Sequence, residues 1–179
     1  LFHKIESIIS FLNLSDEILI KKINKKKHVI KFTGNFSKNI GKINTISKLL
    51  KILDKKKILK DKKYEIKIKK NIPSKAGLGG GSMNAASILK FLIKKNNIKI
   101  SQKKILEITN LVGSDVILGM YSKNLILKSN GVIHKIGALE NRKVLIIKPN
   151  FGCSTKQIYS KVKKFKSSRF NNPNKRLFS

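Results

Sequence analysis

Tryptophan is absent from this chain of 179 residues, cysteine occurs once, and Asp and Glu together number only 9. A lone Cys153 cannot close an internal disulfide or build a clustered-thiolate zinc site, so the chain fits a reducing compartment. No apolar run approaches the roughly 18 residues that a membrane span requires. The first residues, Leu1, Phe2, His3 and Lys4, lack the basic-then-apolar layout of an export signal. These absences lead us to expect a soluble, unexported protein with no membrane partner. The expected compartment is the cytoplasm, or a plastid in a plastid-bearing organism. Arginine is nearly missing as well: Arg142, Arg169 and Arg176 are the only ones among 41 basic residues.

The basic excess gives a formal charge of +32. Clustered cations release counterions from nucleic-acid backbones, so such a charge raises the question of a nucleic-acid partner. Here the charge is almost all lysine, in a chain saturated with Ile and Asn, and these three residues share A- and T-rich codons. A base-composition bias accounts for the excess without any partner. Aromatic side chains interleaved with the basic runs, which stacking on bases requires, are mostly missing. We expect no nucleic-acid partner.

A chain of this length buries roughly 70% of its unfolded surface, enough for one full core. Alternating strands and helices run along it. Residues 5–14 and 18–23 read as strands with a turn at Ser15 and Asp16, and residues 29–32 are placed to pair with them. Ile46, Leu49, Leu50 and Leu53 recur at helical spacing, and the basic run 55–63 reads as a solvated connection. Tyr64, Ile66 and Ile68 alternate with charged residues, as in a strand with one buried face. Ala85, Leu89, Leu92 and Ile93 mark the next helix, and Ser101 caps another that stops at Gly113. Strands at 124–128 and 132–136 flank Asn130 and Gly131, a hairpin signal. The apolar run 144–147 reads as a strand covered on both faces. Ser154 or Thr155 then caps a helix through Ile158, Val162 and Phe165, and residues 166–179 show no periodicity. His28 and His134 lie in lysine-rich strands with no partner spacing and are expected to be solvated. Cys153 is expected to be inert.

The segment carrying chemistry is Pro73, Ser74, Lys75, Ala76, Gly77, Leu78, Gly79, Gly80, Gly81, Ser82 and Met83. A strand enters it and a helix leaves it, so main-chain N–H groups at the helix start have no intrahelical acceptor and attract anions. Glycines let the backbone approach phosphate oxygens with no Cβ in the way. The spacing is not a Walker A loop, because Gly81 is followed by Ser82 and Met83 instead of Lys and a hydroxyl residue. Nor is it a dinucleotide fingerprint, because the sixth position from Gly77 is Ser82. Glycines alone fit a flexible connector equally well. The proline ahead of them, and the small residues behind them where a helix must pack closely on a sheet, favour the phosphate cradle.

This string resembles the second signature of the GHMP kinases, and more of the chain agrees in order. Phe2 and His3, followed by Ile5 and Glu6, resemble an aromatic-His segment that contacts cytosine in a member of the family. Asn44 and Thr45 match a segment near the nucleotide. Gly113, Ser114, Asp115 and Val116 match a stretch whose Asp faces the reacting hydroxyl, and Thr155 and Tyr159 fall where residues flank the cytosine. Met83 and Ile117 depart from the family pattern. The resemblance implies an α+β fold whose β-sheet, with packed helices, is like domain 2 of ribosomal protein S5. It implies an ATP-binding domain at 1–142, incomplete at its start, and the beginning of a C-terminal domain at 143–179.

The resemblance also implies the chemistry. ATP phosphates would lie on residues 73–83 near Asn44, Mg²⁺ would contact Ser82, and Asp115 would act on the attacking hydroxyl. A cytidine-diphosphate-bearing small molecule would meet Phe2, His3, Thr155 and Tyr159, in a monomer or homodimer. By position alone, Asp115 reads more readily as a turn or cap residue, and the resemblance is what favours the catalytic reading. The family's catalytic Lys and third glycine-rich signature have no counterpart here, so a fragment of a longer enzyme, inactive by itself, is expected. Two rivals remain: a GHMP kinase acting on another alcohol, of homoserine or mevalonate type, and a nonenzymatic RNA-binding protein of S5-like fold.

Overall fold

The computed structural model describes residues 5–74, 76–136, 143–147, 155–164 and 166–169. In chain order the elements are β1 (Ser7–Ile9), β2 (Glu17–Ile23), β3 (Val29–Thr33), α1 (Thr45–Lys55), β4 (Lys63–Lys69), α2 (Gly80–Lys95) and α3 (Gln102–Val112). A short 3-10 helix (Leu118–Met120), β5 (Leu125–Leu127), β6 (Ile133–Lys135) and α4 (Thr155–Ser160) follow. They divide between two compact units, Leu14–Tyr121 and a second made of Leu1–Asn13 with Ser122–Ser179.

In the unit Leu14–Tyr121, β4 is the central strand, antiparallel to β2 and parallel to β3. The register sets Ile66 between Ile20 and Ile30, and Ile68 between Ile18 and Phe32. One face of the sheet is therefore a continuous apolar patch, because strand side chains alternate with a period of two. Helices α1, α2 and α3 cover it, burying Leu49, Leu53, Ile88, Leu89, Leu92 and Ile108 against Ile66 and Ile68. The opposite face carries charge, with Lys69 of β4 paired to Glu17 at 2.9 Å and Lys31 of β3 paired to Glu65 at 3.0 Å.

The expected pairing of residues 29–32 with the two preceding strands is corrected. β3 lies instead beside β4, and α1 forms the crossover that a parallel pair requires. The basic run 55–63 is likewise not wholly solvated. Leu59 is buried, Lys63 pairs with Asp54 at 2.9 Å, and Lys56 pairs with Glu107 of α3. His28 departs furthest from expectation. Its ring is almost fully buried, bonds Asp54 through Nε2 at 3.2 Å, and accepts the Tyr64 N–H on Nδ1 at 3.0 Å. Since Nδ1 accepts, the ring proton sits on Nε2 and points at the carboxylate.

In the other unit, β5 pairs antiparallel with both β1 and β6, and the β5–β6 turn places Gly131 at φ 81°. The strand expected over 5–14 shortens to three residues, and Phe11 and Leu12 beyond it are exposed. The strand expected at 144–147 does not form: the segment pairs with nothing among the described residues, and Leu145 and Ile147 are 84% and 83% exposed. A doubly covered strand needs neighbours on both sides, and the described residues supply none. The helix beginning at Thr155 ends at Ser160, before Val162. Cys153 and Phe165 lie outside the described residues.

Candidate active site

β4 delivers the chain to Lys70, and α2 takes it away from Gly79. Gly77 and Gly79 have φ of 72° and 65°, left-handed values that cost an L-residue roughly 1–2 kcal/mol. A Cβ added at either would meet no described atom within 4 Å, so these glycines are required by backbone conformation and not by crowding. Gly79 is the N-cap of α2 and, having no side chain, supplies no capping hydrogen bond. The first helical bond is Met83 N–H to the Gly79 carbonyl at 2.9 Å. The N–H groups of Gly80, Gly81 and Ser82 therefore precede any intrahelical acceptor, at the positive end of a helix of 16 residues. This is anion-binding geometry.

Neighbouring segments brace this turn. Thr45, the first residue of α1, donates its hydroxyl to the Gly81 carbonyl at 3.0 Å, so the starts of the two helices adjoin. Asn44 caps α1: its side-chain oxygen accepts from Ile46 and Ser47, each at 3.0 Å, and its amide donates to the Gly41 carbonyl. Ser74 donates to the Phe36 carbonyl at 3.2 Å, while Pro73, Ala76, Leu78 and Ser82 are half-buried. Met83 turns toward the 3-10 helix, where a Cβ built on Gly119 would sit 3.1 Å from its sulfur and 2.6 Å from the Ala86 Cβ. Only glycine permits that approach, and it holds the turn bearing Asp115 against the first turns of α2.

Asp115 lies in the turn after α3, exposed, accepting from the Ser114 hydroxyl at 3.1 Å. Its main-chain carbonyl accepts the Leu118 N–H at 3.2 Å, and the adjacent Val116 is fully buried, so the turn is anchored while the carboxylate faces out. Among the described residues Asp16, Glu17, Asp54, Glu65 and Glu107 are each ion-paired, and Asp115 is not. In a chain with 41 Lys and Arg, that leaves a carboxylate available to another partner.

Sequence reasoning missed Asp16. Its side chain has no solvent exposure and accepts from Lys70 Nζ, the N–H groups of Asn71 at 2.7 Å and Ile72 at 2.8 Å, and Asn84 Nδ2 at 2.7 Å. Burial pushes this carboxyl up, but the bonds from Lys70, Ile72, Asn84 and Asn71 outweigh it and hold it below its ordinary value. No local signal announces such a residue, because its partners lie 54 to 68 positions away.

The sequence profile described as GHMP kinases N terminal domain matches residues 44–123, the stretch that runs from the cap of α1 through the glycine turn to the Asp115 turn. Residues 44–123 match a GHMP kinase N-terminal domain. The chain is 58% identical over 98% of its length to the 4-diphosphocytidyl-2-C-methyl-D-erythritol kinase of Pelagibacter ubique. It is 32% identical over 94% of its length to the enzyme of the same name from Fusobacterium nucleatum. It spans 63% and 58% of those relatives.

Two solved structures share the fold. A 4-(cytidine 5'-diphospho)-2C-methyl-D-erythritol kinase matches with a TM-score of 0.55 and 22% identity, over 71% of this chain and 43% of that one. A homoserine kinase from Cytophaga hutchinsonii matches with a TM-score of 0.60 and 18% identity, over 85% of this chain and 52% of the other. The α+β architecture expected from the resemblance is thus that of the GHMP fold. Of the other residues expected at the site, Tyr159 is half-buried on α4 and Thr155 opens that helix. Phe2, His3 and Lys75 lie outside the described residues.

Proposed function

We propose that this protein transfers the γ-phosphoryl group of ATP to the 2-hydroxyl of 4-diphosphocytidyl-2-C-methyl-D-erythritol, a step in making isoprenoid precursors. The observation that carries the proposal is the start of α2, whose N-cap is a glycine that offers no side-chain cap, in a turn with two left-handed glycines. That turn offers convergent N–H donors and partial positive charge to a polyphosphate. The names of the curated relatives supply the acceptor alcohol.

In this reading residues 73–83 take the ATP phosphates, with Asn44 and Thr45 holding the neighbouring helix start in place. Phosphoryl transfer needs little covalent help, so positioning and charge dominate. When bound with ATP, Mg²⁺ would supply charge neutralisation. Among the described residues no group of three or more His, Cys, Asp or Glu is placed to hold a metal. The Ser82 hydroxyl is the group that would hold Mg²⁺, together with the ATP phosphates. Asp115 accepts or orients the proton of the attacking hydroxyl. Phe2, His3, Thr155 and Tyr159 are assigned to the cytosine end of the alcohol. Residues 1–142 are assigned to the ATP-binding domain and 143–179 to the C-terminal domain.

In the intact enzyme, Asp115→Asn should lower kcat by roughly 10²–10⁴ while ATP affinity stays unchanged. Full turnover with intact ATP binding would remove Asp115 from the chemistry. Offering homoserine and mevalonate beside the cytidine-bearing alcohol decides the acceptor: turnover of either with none of the latter would contradict the assignment.

A further inference from the structure

Asp16 lies in the connection ahead of β2, outside the segment matched by the family profile, yet its bonds bracket the glycine turn. Two of its donors, the N–H groups of Asn71 and Ile72, stand immediately before Pro73. A third, the side-chain amide of Asn84, stands immediately after Met83 and is itself buried. The fourth is the ammonium of Lys70, where β4 ends. One carboxylate thus ties together both ends of residues 73–83. Only a carboxylate suits the place, because it accepts on all sides, whereas an amide would turn its own donors onto Lys70 or Asn84. A separate brace holds the approach: the Lys70 N–H donates to the Thr33 carbonyl at 2.7 Å, and a Cβ on Gly34 would fall 2.8 Å from the Lys70 carbonyl.

We infer that Asp16 is a positioning residue, which sets the separation of the two ends of the glycine turn and so aims its N–H groups at the nucleotide phosphates. The inference rests on the proposed kinase reading. Asp16 touches no reactant and acts through Asn71, Ile72 and Asn84. A merely structural carboxylate would, when lost, lower the fraction of folded enzyme and so depress the apparent kcat, leaving both KM values alone. A carboxylate that aims the turn would, when lost, raise KM for ATP selectively.

The test uses the intact enzyme and two variants. Asp16→Asn leaves Lys70 buried without its counter-charge and threatens the fold. Asn84→Ala removes one arm of the clamp and no charge, and therefore decides the matter alone if Asp16→Asn fails to fold. The expected result is a KM for ATP raised roughly tenfold or more in Asp16→Asn and severalfold in Asn84→Ala, with KM for the alcohol unchanged. An Asn84→Ala enzyme that folds with wild-type KM for ATP overturns the inference, as does an equal rise in both KM values. Wild-type enzyme with no saturable dependence on ATP would sink the kinase reading itself, so the two failures are told apart.

Discussion

The side chain of Asp16 is sealed from solvent beneath four donors, while that of Asp115 is exposed and accepts from the Ser114 hydroxyl. The first is held in its charged form by its surroundings; the second faces outward and pairs with no cation among the described residues. Asp54 resembles Asp16: burial raises its carboxyl, and bonds from Lys63 and His28 bring it below its ordinary 3.8. A carboxyl lowered in the folded chain binds fewer protons there than in the unfolded one, so stability rises with pH through that window. The stabilisation is fully present above about pH 5 and is lost progressively as the pH falls further. Urea denaturation should therefore show a plateau from neutral pH down to about 5 and a fall below about 4. In Asp16→Asn that fall should be shallower, and a variant curve parallel to wild type would contradict the assignment. The turn of glycines between β4 and α2, and the turn after α3 that carries Asp115, were legible because their neighbours in sequence carry the signal. Asp16 was not, since Ser15 and Asp16 read simply as a turn and the donors are supplied by the tertiary fold.

Helix boundaries show what the sequence conveys at the level of elements. The starts were readable: Asn44 and Ser47 form a reciprocal capping box, and Ser101 accepts from the Lys104 N–H at 3.3 Å. The stops were not. α1 ends with the Ile58 N–H on the Leu53 carbonyl and the Lys57 N–H on that of Asp54, both at 2.9 Å, with Lys57 at φ 54°. α2 repeats the pattern with Ile98 to Ile93, Asn97 to Lys94, and Asn97 at φ 50°. This is the termination that glycine usually serves, here filled by the lysine and asparagine in which the chain abounds. Replacing Lys57 by Gly should remove the left-handed penalty and stabilise the fold by about 0.5–1 kcal/mol, read as a raised urea midpoint with unchanged slope. A lowered midpoint would mean that the lysine side chain contributes more than its backbone strain costs. The strand pattern of Tyr64, Ile66 and Ile68 was fully readable because β4 buries one face. The run 144–147 misled because its hydrophobicity is satisfied by nothing among the described residues.

Across the whole molecule the +32 charge pulls toward one reading and the fold toward another. The GHMP architecture and the relatives' names direct attention to the strand-to-helix turn, whereas the lysines alone would suit a polyanion anywhere on the surface. No helix among the described residues is long and apolar enough to cross a membrane. Counterion-release binding weakens steeply with salt, while a phosphate held by convergent main-chain donors stays localised. The measurement that separates them is an amide NMR titration of the isotope-labelled protein with Mg·ATP at about 0.15 M salt, where surface charges are screened beyond about 8 Å. The account predicts saturable shifts concentrated at Gly77, Gly79, Gly80, Gly81 and Ser82. Shifts scattered over the lysine-rich surfaces, fading as salt is raised and sparing those glycines, would contradict it.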